Sequence, residues 1–70
     1  MLTEVQSGDR LNCDTVRIGM VCKDLSDDLV LVDRLLDHKH VEVAQWWNGS
    51  WAFLNDRVRI DELEFVRWEE

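Results

Sequence analysis

The 70-residue chain contains no proline, only three glycines and no long apolar run. No stretch approaches the ~20 apolar residues that a membrane-spanning helix needs, so we expect no contact with a membrane. The first ten residues lack a basic segment followed by an apolar run, which predicts the absence of a signal peptide. Without repeats, low-complexity tracts or a linker, residues 1–70 are expected to form one small domain, located by default in the cytoplasm.

Cysteine is scarce and sequence signatures of catalysis are absent. Cys13 and Cys22 are too few for a disulfide-rich scaffold, and they form no CxxC pair. The chain has no GxSxG, GxGxxG or GxxxxGK[ST] motif, so serine-hydrolase chemistry and nucleotide binding have no support. A core this small also leaves little room for the residues that must support a catalytic site. We therefore predict that the protein is not an enzyme and needs no cofactor.

Metal-binding patterns are incomplete. His38 and His40 are spaced to share one face of a strand, but no third ligand lies near them in the sequence. The segment that contains Asp24, Asp27 and Asp28 lacks the glycine and the final glutamate of a calcium-binding loop. The sequence therefore predicts no metal site, and a solvent-exposed turn is the expected setting of both histidines.

The charge is strongly unbalanced, with 15 acidic and 8 basic residues and a net charge of −7. Proteins that bind phosphate backbones need clusters of Lys and Arg, so direct binding of nucleic acid is not expected. Arg57, Arg59 and Arg67 are the only candidates for the basic stripe that an RNA binder would require. The acidic balance favours a basic protein surface as partner, with simple solubility as the alternative explanation.

The segment Val41 to Leu54 is the most informative part of the chain. Two apolar, aromatic-rich runs flank Asn48–Gly49, and this dipeptide between strand-like runs is a strong signal for a two-residue hairpin turn. Three of the four tryptophans, Trp46, Trp47 and Trp51, surround that turn. Because neighbouring strand residues point to opposite faces, either Trp46 or Trp47 must face away from the core.

Other segments also alternate as strands do. Strands are predicted at 15–23, 41–47, 50–54, 57–60 and 64–68, with turns at 7–9 and 55–56, a bulge or bend at Gly19, and a single turn of 3₁₀ helix at 61–63. Residues 26–40 fit either an amphipathic helix or a strand from Leu29, and Val30 and Val32 favour the strand. The expected core comprises Val16, Ile18, Met20, Val43, Phe53, Val58, Ile60 and Leu63.

About five short strands in so small a chain predict an all-β barrel with a 3₁₀ turn before the last strand. The segments Ser7–Leu11, Trp47–Trp51 and Val58–Val66 resemble the GD-x-V, W-x-(D/N)-G-x-x-W and V-x-x-x-x-L-E-x-V motifs of SH3-like barrels of the KOW/Tudor type. The central hairpin is one residue shorter than that pattern. Asp27–Asp28 replaces the usual glycine of the second strand, and the basic loops are missing. The resemblance implies an SH3-like fold without the nucleic-acid binding common in KOW-type barrels.

Two hypotheses on function follow. The first is a non-enzymatic interaction module that binds a basic protein partner, in which tryptophans anchor the contact and carboxylates orient it. Its candidate binding residues are Trp46, Trp47, Trp51, Asp24, Asp27, Asp28, Glu62 and Glu64. The alternative is an acidic inhibitor of the kind that phages use, which mimics nucleic acid to block a host defence or nucleic-acid-binding protein. The oligomeric state stays open.

Overall fold

The computed structural model describes residues 5–69 and shows an all-β fold. Five strands occur in the order β1 (Met20–Lys23), β2 (Leu29–Leu35), β3 (His40–Trp47), β4 (Ser50–Arg59) and β5 (Glu64–Trp68), and one 3₁₀ turn (Ile60–Glu62) precedes the last. The prediction of an all-β fold with five strands and a short 3₁₀ turn before the final strand is confirmed. Among the described residues no helix is long and apolar enough to span a membrane.

All five strands belong to one antiparallel sheet with the order β4-β3-β2-β1-β5. The sheet is not closed, because β4 and β5 are its two edges. Residues 8–11 continue the sheet beyond the β5 edge: the Gly8 N–H donates to the Phe65 carbonyl at 2.8 Å, and the Leu11 N–H donates to the Leu63 carbonyl at 3.0 Å. An isolated antiparallel bridge joins Arg10 to Glu64 in the same place.

The main core lies on one face of the sheet. Alternate residues of β1 to β3 project into it, as the period of two requires. The N-terminal segment adds Leu11 and Val16, and the 3₁₀ turn with the residue after it adds Ile60 and Leu63. The buried members are Leu11, Val16, Met20, Cys22, Val30, Val32, Val41, Val43, Ile60, Leu63 and Phe65.

A second, smaller apolar cluster lies on the opposite face. Val21, Leu31 and Ala44 are buried there, although residues 5–69 supply no second layer of secondary structure to cover them. Leu29, Trp51 and Val66 pack against this cluster, and the Trp51 indole Nε1–H donates to the Glu69 carboxylate. In a flat sheet β4 and β5 would stand roughly 19 Å apart, so this contact requires a strongly curled sheet.

The first strand begins later than the alternation predicted. Residues 17–20 form a turn, closed by the Met20 N–H donating to the Arg17 carbonyl, and Gly19 has a φ of +96°. The predicted strand over 15–23 is therefore reduced to β1, and Gly19 supplies the bend in front of it. Ile18 falls in the turn and is 59% exposed, so its assignment to the core was wrong.

A wide bulge changes β4. Val43 pairs with Asp56 and Gln45 pairs with Ala52, so the three residues 53–55 face the single residue Ala44. Asn55 has a φ of +59°, which asparagine tolerates better than most residues. The predicted turn at 55–56 is this bulge inside one continuous strand. It turns Phe53 outward to 59% exposure, which corrects the prediction of Phe53 as a core residue.

Two further predictions for local structure hold, whereas the 3₁₀ turn spans Ile60–Glu62 rather than the predicted 61–63. Residues 29–35 form a strand rather than a helix, consistent with the preference of Val30 and Val32. Asn48 and Gly49 connect β3 and β4 with φ values of +51° and +82°. Two positive φ values are what a type I′ hairpin turn demands. The hairpin with its tryptophans is therefore present as expected.

Candidate functional site

A groove of about 700 Å³ lies between the β1–β2 loop and the β3–β4 hairpin, and we call it groove one. Its walls are mostly apolar, with carboxylates at one side and no cationic side chain among the described residues that line it. The lining residues are Asp27, Asp28, Leu29, Gln45, Trp46, Trp47, Ala52 and Leu54. Four of the eight predicted binding residues thus lie in one place: Trp46, Trp47, Asp27 and Asp28.

The three tryptophans of the hairpin have different environments. Trp46 and Trp51 form a cross-strand pair with an edge-to-face ring contact at 4.9 Å, and such pairs stabilise hairpins. Trp47 is 69% exposed and has no ring partner among residues 5–69, whereas Trp46 is 45% exposed. Trp51 packs on the second apolar cluster and binds Glu69. Trp47 is therefore the ring most available to a partner, and Trp51 contributes chiefly to the fold.

The acidic loop between β1 and β2 has a rigid internal frame. Asp24 Oδ1 accepts hydrogen bonds from the Ser26 N–H at 2.9 Å and the Asp28 N–H at 3.1 Å. Asp27 adopts a φ of +67° and its carboxylate lies 3.4 Å from the Lys23 ammonium. The Asp28 carboxylate forms no hydrogen bond or ion pair within residues 5–69. Asp24 thus shapes the loop, while Asp28 offers an uncommitted negative charge at the groove.

The other two predicted carboxylates lie outside groove one. Glu62 belongs to the 3₁₀ turn, and Glu64 begins β5, where it pairs with Lys23 and bridges Arg10. Both are partly buried. Their side chains therefore border a different part of the surface from Trp46 and Trp47.

The arginines considered for a basic stripe lie on two different strands, and one of them is engaged by a carboxylate. Arg57 and Arg59 lie on β4, whereas Arg67 lies on β5 at the other edge of the sheet. The Arg59 guanidinium donates two hydrogen bonds to Asp61, at 2.8 and 3.1 Å. These bonds raise the pKa of Arg59 and lower the pKa of Asp61. Arg59 is thus already partnered by a carboxylate.

His38 lies in the turn before β3, whereas His40 is the first residue of β3 and is half-buried, so the prediction of an exposed turn holds only for His38. His40 Nδ1 is 3.0 Å from the Asp37 carboxylate, which also accepts the backbone N–H groups of Lys39 and His40. The Lys39 N–H and the His40 side chain are the main causes that lower the pKa of Asp37. No group of three His, Cys, Asp or Glu side chains among residues 5–69 is placed to hold a metal ion.

Sequence reasoning missed the part of groove one that the bulge supplies. Leu54 lines the groove at 63% exposure, and Phe53 beside it is also exposed. A signal was present in the sequence, because the run Trp51 to Leu54 is apolar at four successive positions and cannot alternate. Such a run in an edge strand, followed by Asn55, is consistent with a bulge that turns apolar side chains outward.

The two cysteines differ sharply in accessibility. Cys13 is exposed in the N-terminal loop and Cys22 is buried in the main core. Burial raises the pKa of the Cys22 thiol from 9.0 to about 12. We expect a thiol reagent at pH 8 to modify Cys13 quickly in the folded protein, and Cys22 only after unfolding in urea.

The same burial predicts a pH dependence of stability. Between pH 9 and pH 12 the unfolded chain loses the Cys22 proton while the folded chain keeps it, so the free energy of unfolding falls as the pH rises. Urea unfolding at pH 8 and pH 10 measures this change. The free energy of unfolding should differ less between pH 8 and pH 10 in Cys22→Ala than in the unmodified protein. Equal differences in the two proteins would contradict the assignment of this pH dependence to Cys22.

Comparisons with known proteins provide no further assignment, since no family model, curated protein or solved structure matches this chain.

Proposed function

We propose that this protein is a non-enzymatic interaction module that binds a basic protein partner through groove one. The observation that carries the proposal is the combination of exposed Trp47 and Leu54 with Asp27 and Asp28 around one apolar groove. Large exposed apolar side chains grouped together mark interaction sites more often than scattered ones do. The proposal includes an SH3-like fold, as the sequence resemblance implies. It also includes a cytoplasmic location, where free thiols such as Cys13 stay reduced.

The two kinds of side chain have different roles in this proposal. Trp47 would bury most of its ring against the partner, and tryptophan is among the residues that most often dominate interface energetics. Asp27 and Asp28 would attract and orient a cationic surface, which acts mainly on the association rate. The hairpin and the Asp24-framed loop define the backbone at both groups without a partner, which limits the cost of ordering the backbone on binding.

The alternative of a nucleic-acid mimic has less support. A mimic needs carboxylates spaced along one face as phosphates are. Here Asp27 and Asp28 border groove one, and Asp61 is bound to Arg59. The proposal of an apolar groove with a local acidic rim accounts for the exposed tryptophans, which a pure charge mimic does not require.

The test uses a fluorescein-labelled ten-residue peptide of alternating Arg and Leu, with binding followed by anisotropy. We expect Trp47→Ala to weaken binding by roughly 30-fold, mainly through faster dissociation. Asp28→Asn should slow association, and 0.5 M salt should weaken the binding of the unmodified protein.

Asp33→Asn is the matched control, because Asp33 is an exposed carboxylate on β2 that does not line groove one. It should bind the peptide as the unmodified protein does. The proposal fails if Asp28→Asn and Asp33→Asn have the same effect, or if Trp47→Ala leaves the affinity unchanged.

A further inference from the structure

A second groove, of about 720 Å³, lies between the N-terminal segment and the end of β5, and we call it groove two. It has the opposite charge character to groove one: Arg17 and Arg67 line it, with Asp14 as the one carboxylate among its described lining residues. Its apolar side chains include Met20, Phe65 and Trp68. The proposed function does not use this groove.

Each of the two arginines donates to a neighbouring carbonyl, and neither has an acidic partner among the described residues. Arg17 Nη1 donates to the Val16 carbonyl at 2.7 Å, and Arg67 Nη1 donates to the Trp68 carbonyl at 3.3 Å. Neither forms an ion pair with a carboxylate of residues 5–69. This is unexpected in a chain with 15 acidic and 8 basic residues. Each guanidinium has five N–H donors, so several are left to bind an anion.

The apolar wall beside these cations is well defined. Met20 and Phe65 are buried in the main core and form the base of the groove. The Trp68 ring stacks edge-to-face on Phe65 at 5.8 Å and is 51% exposed. A ligand that fits this surface needs a carboxylate for the arginines and an apolar side chain for Trp68.

We propose that groove two binds a linear acidic peptide segment of a partner protein, in which carboxylates alternate with apolar side chains. Charge complementarity argues for an anionic ligand, and arginine pairs with carboxylates through two parallel hydrogen bonds. The net charge of −7 argues against nucleic acid, whose affinity comes from neutralising many phosphates at once. A short peptide needs only one or two charges neutralised. The protein would then have two separate binding grooves of opposite sign.

The test measures anisotropy with a fluorescein-labelled ten-residue peptide of alternating Glu and Leu, using the full chain. Arg17→Gln and Arg67→Gln should each weaken binding by about tenfold, since each removes a charge-assisted hydrogen-bond donor. The same peptide with Gln in place of Glu should not bind. Arg34→Gln is the matched control, because Arg34 is exposed on β2 outside groove two and should leave the affinity unchanged.

Further measurements distinguish an acidic peptide from other possible ligands of groove two, and binding in groove two from binding in groove one. Trp47→Ala should bind the acidic peptide with unchanged affinity, because Trp47 lies in groove one. The proposals for the two grooves can therefore fail independently of each other. Equal effects of Arg67→Gln and Arg34→Gln would overturn the proposal. So would tighter binding of a ten-residue oligothymidine than of the peptide, or sedimentation showing that a second copy of the chain occupies the groove at the protein concentration used.

Discussion

Ile60→Ala is expected to lower the free energy of unfolding by about 2–5 kcal/mol. Ile60 is 2% exposed and begins the 3₁₀ turn, where its side chain enters the main core. Its N–H donates to the Lys39 carbonyl at 2.8 Å, so the backbone is held in place and cannot readily close the cavity left by the missing atoms. A 70-residue domain has a total stability of only about 4–10 kcal/mol, so this loss could unfold much of the protein.

Ile18→Ala is the matched control, because it makes the same chemical change at a side chain that is 59% exposed. Its effect should stay within about 0.5 kcal/mol. Urea unfolding followed by far-UV circular dichroism measures both variants. If Ile60→Ala does not fold, Ile60→Val should still show a loss of about 0.5–1.5 kcal/mol. Similar results for the alanine variants of Ile18 and Ile60 would contradict the register of the core.

The contrast between these two isoleucines shows which core residues can be predicted from the sequence. Ile60 follows a clean alternation with Val58, and the structure places Ile60 in the main core with Val58 packed against it. Ile18 fits an equally clean alternation with Val16 and Met20, yet Gly19 allows a turn that removes Ile18 from the pattern. Periodicity identifies the face that a residue occupies only where the backbone is extended. A glycine with positive φ interrupts the extended backbone, so the alternation no longer applies there.

The candidate site likewise combines features that the local sequence predicts with features that depend on long-range strand pairing. The Asn48–Gly49 turn and the surrounding tryptophans follow from local chemistry, so the hairpin could be predicted. The meeting of Asp27 and Asp28 with Trp46 and Trp47 depends on how β2 pairs with β3, which is a long-range property. Groove two is still harder to predict, because Arg17 and Arg67 are separated by most of the chain and become neighbours through the pairing of β1 with β5.

The second apolar cluster also could not be predicted from alternation. Val21 and Ala44 directly follow the predicted core residues Met20 and Val43, so alternation places them on the opposite face, yet both are fully buried. They are covered because the sheet curls enough for Trp51 of β4 to bind Glu69, which follows β5. Sheet curvature arises from bulges and twist rather than from any one residue, and three of the four strand pairings here contain a register shift.

Removing the Trp51 side chain is expected to have an effect of similar size to Ile60→Ala. Trp51 covers Val21, Leu31 and Ala44, makes the ring contact with Trp46, and binds Glu69. Trp51→Ala should therefore lower the free energy of unfolding by about 3 kcal/mol, the low end for a large aromatic side chain, because Trp51 is only partly buried. Trp51→Phe keeps an aromatic ring over the cluster but loses the indole N–H, so a loss of about 1 kcal/mol is expected.

Trp47→Ala is the matched control for this series, since Trp47 is 69% exposed and makes no ring contact within residues 5–69. Urea unfolding should find it within about 0.5 kcal/mol of the unmodified protein. Circular dichroism is the suitable signal, because each variant alters tryptophan fluorescence directly. If Trp51→Ala were as mild as Trp47→Ala, Trp51 would not be the cover of the second cluster. It would then be free to act in binding beside Trp47, and the peptide affinity of Trp51→Phe would measure that contribution.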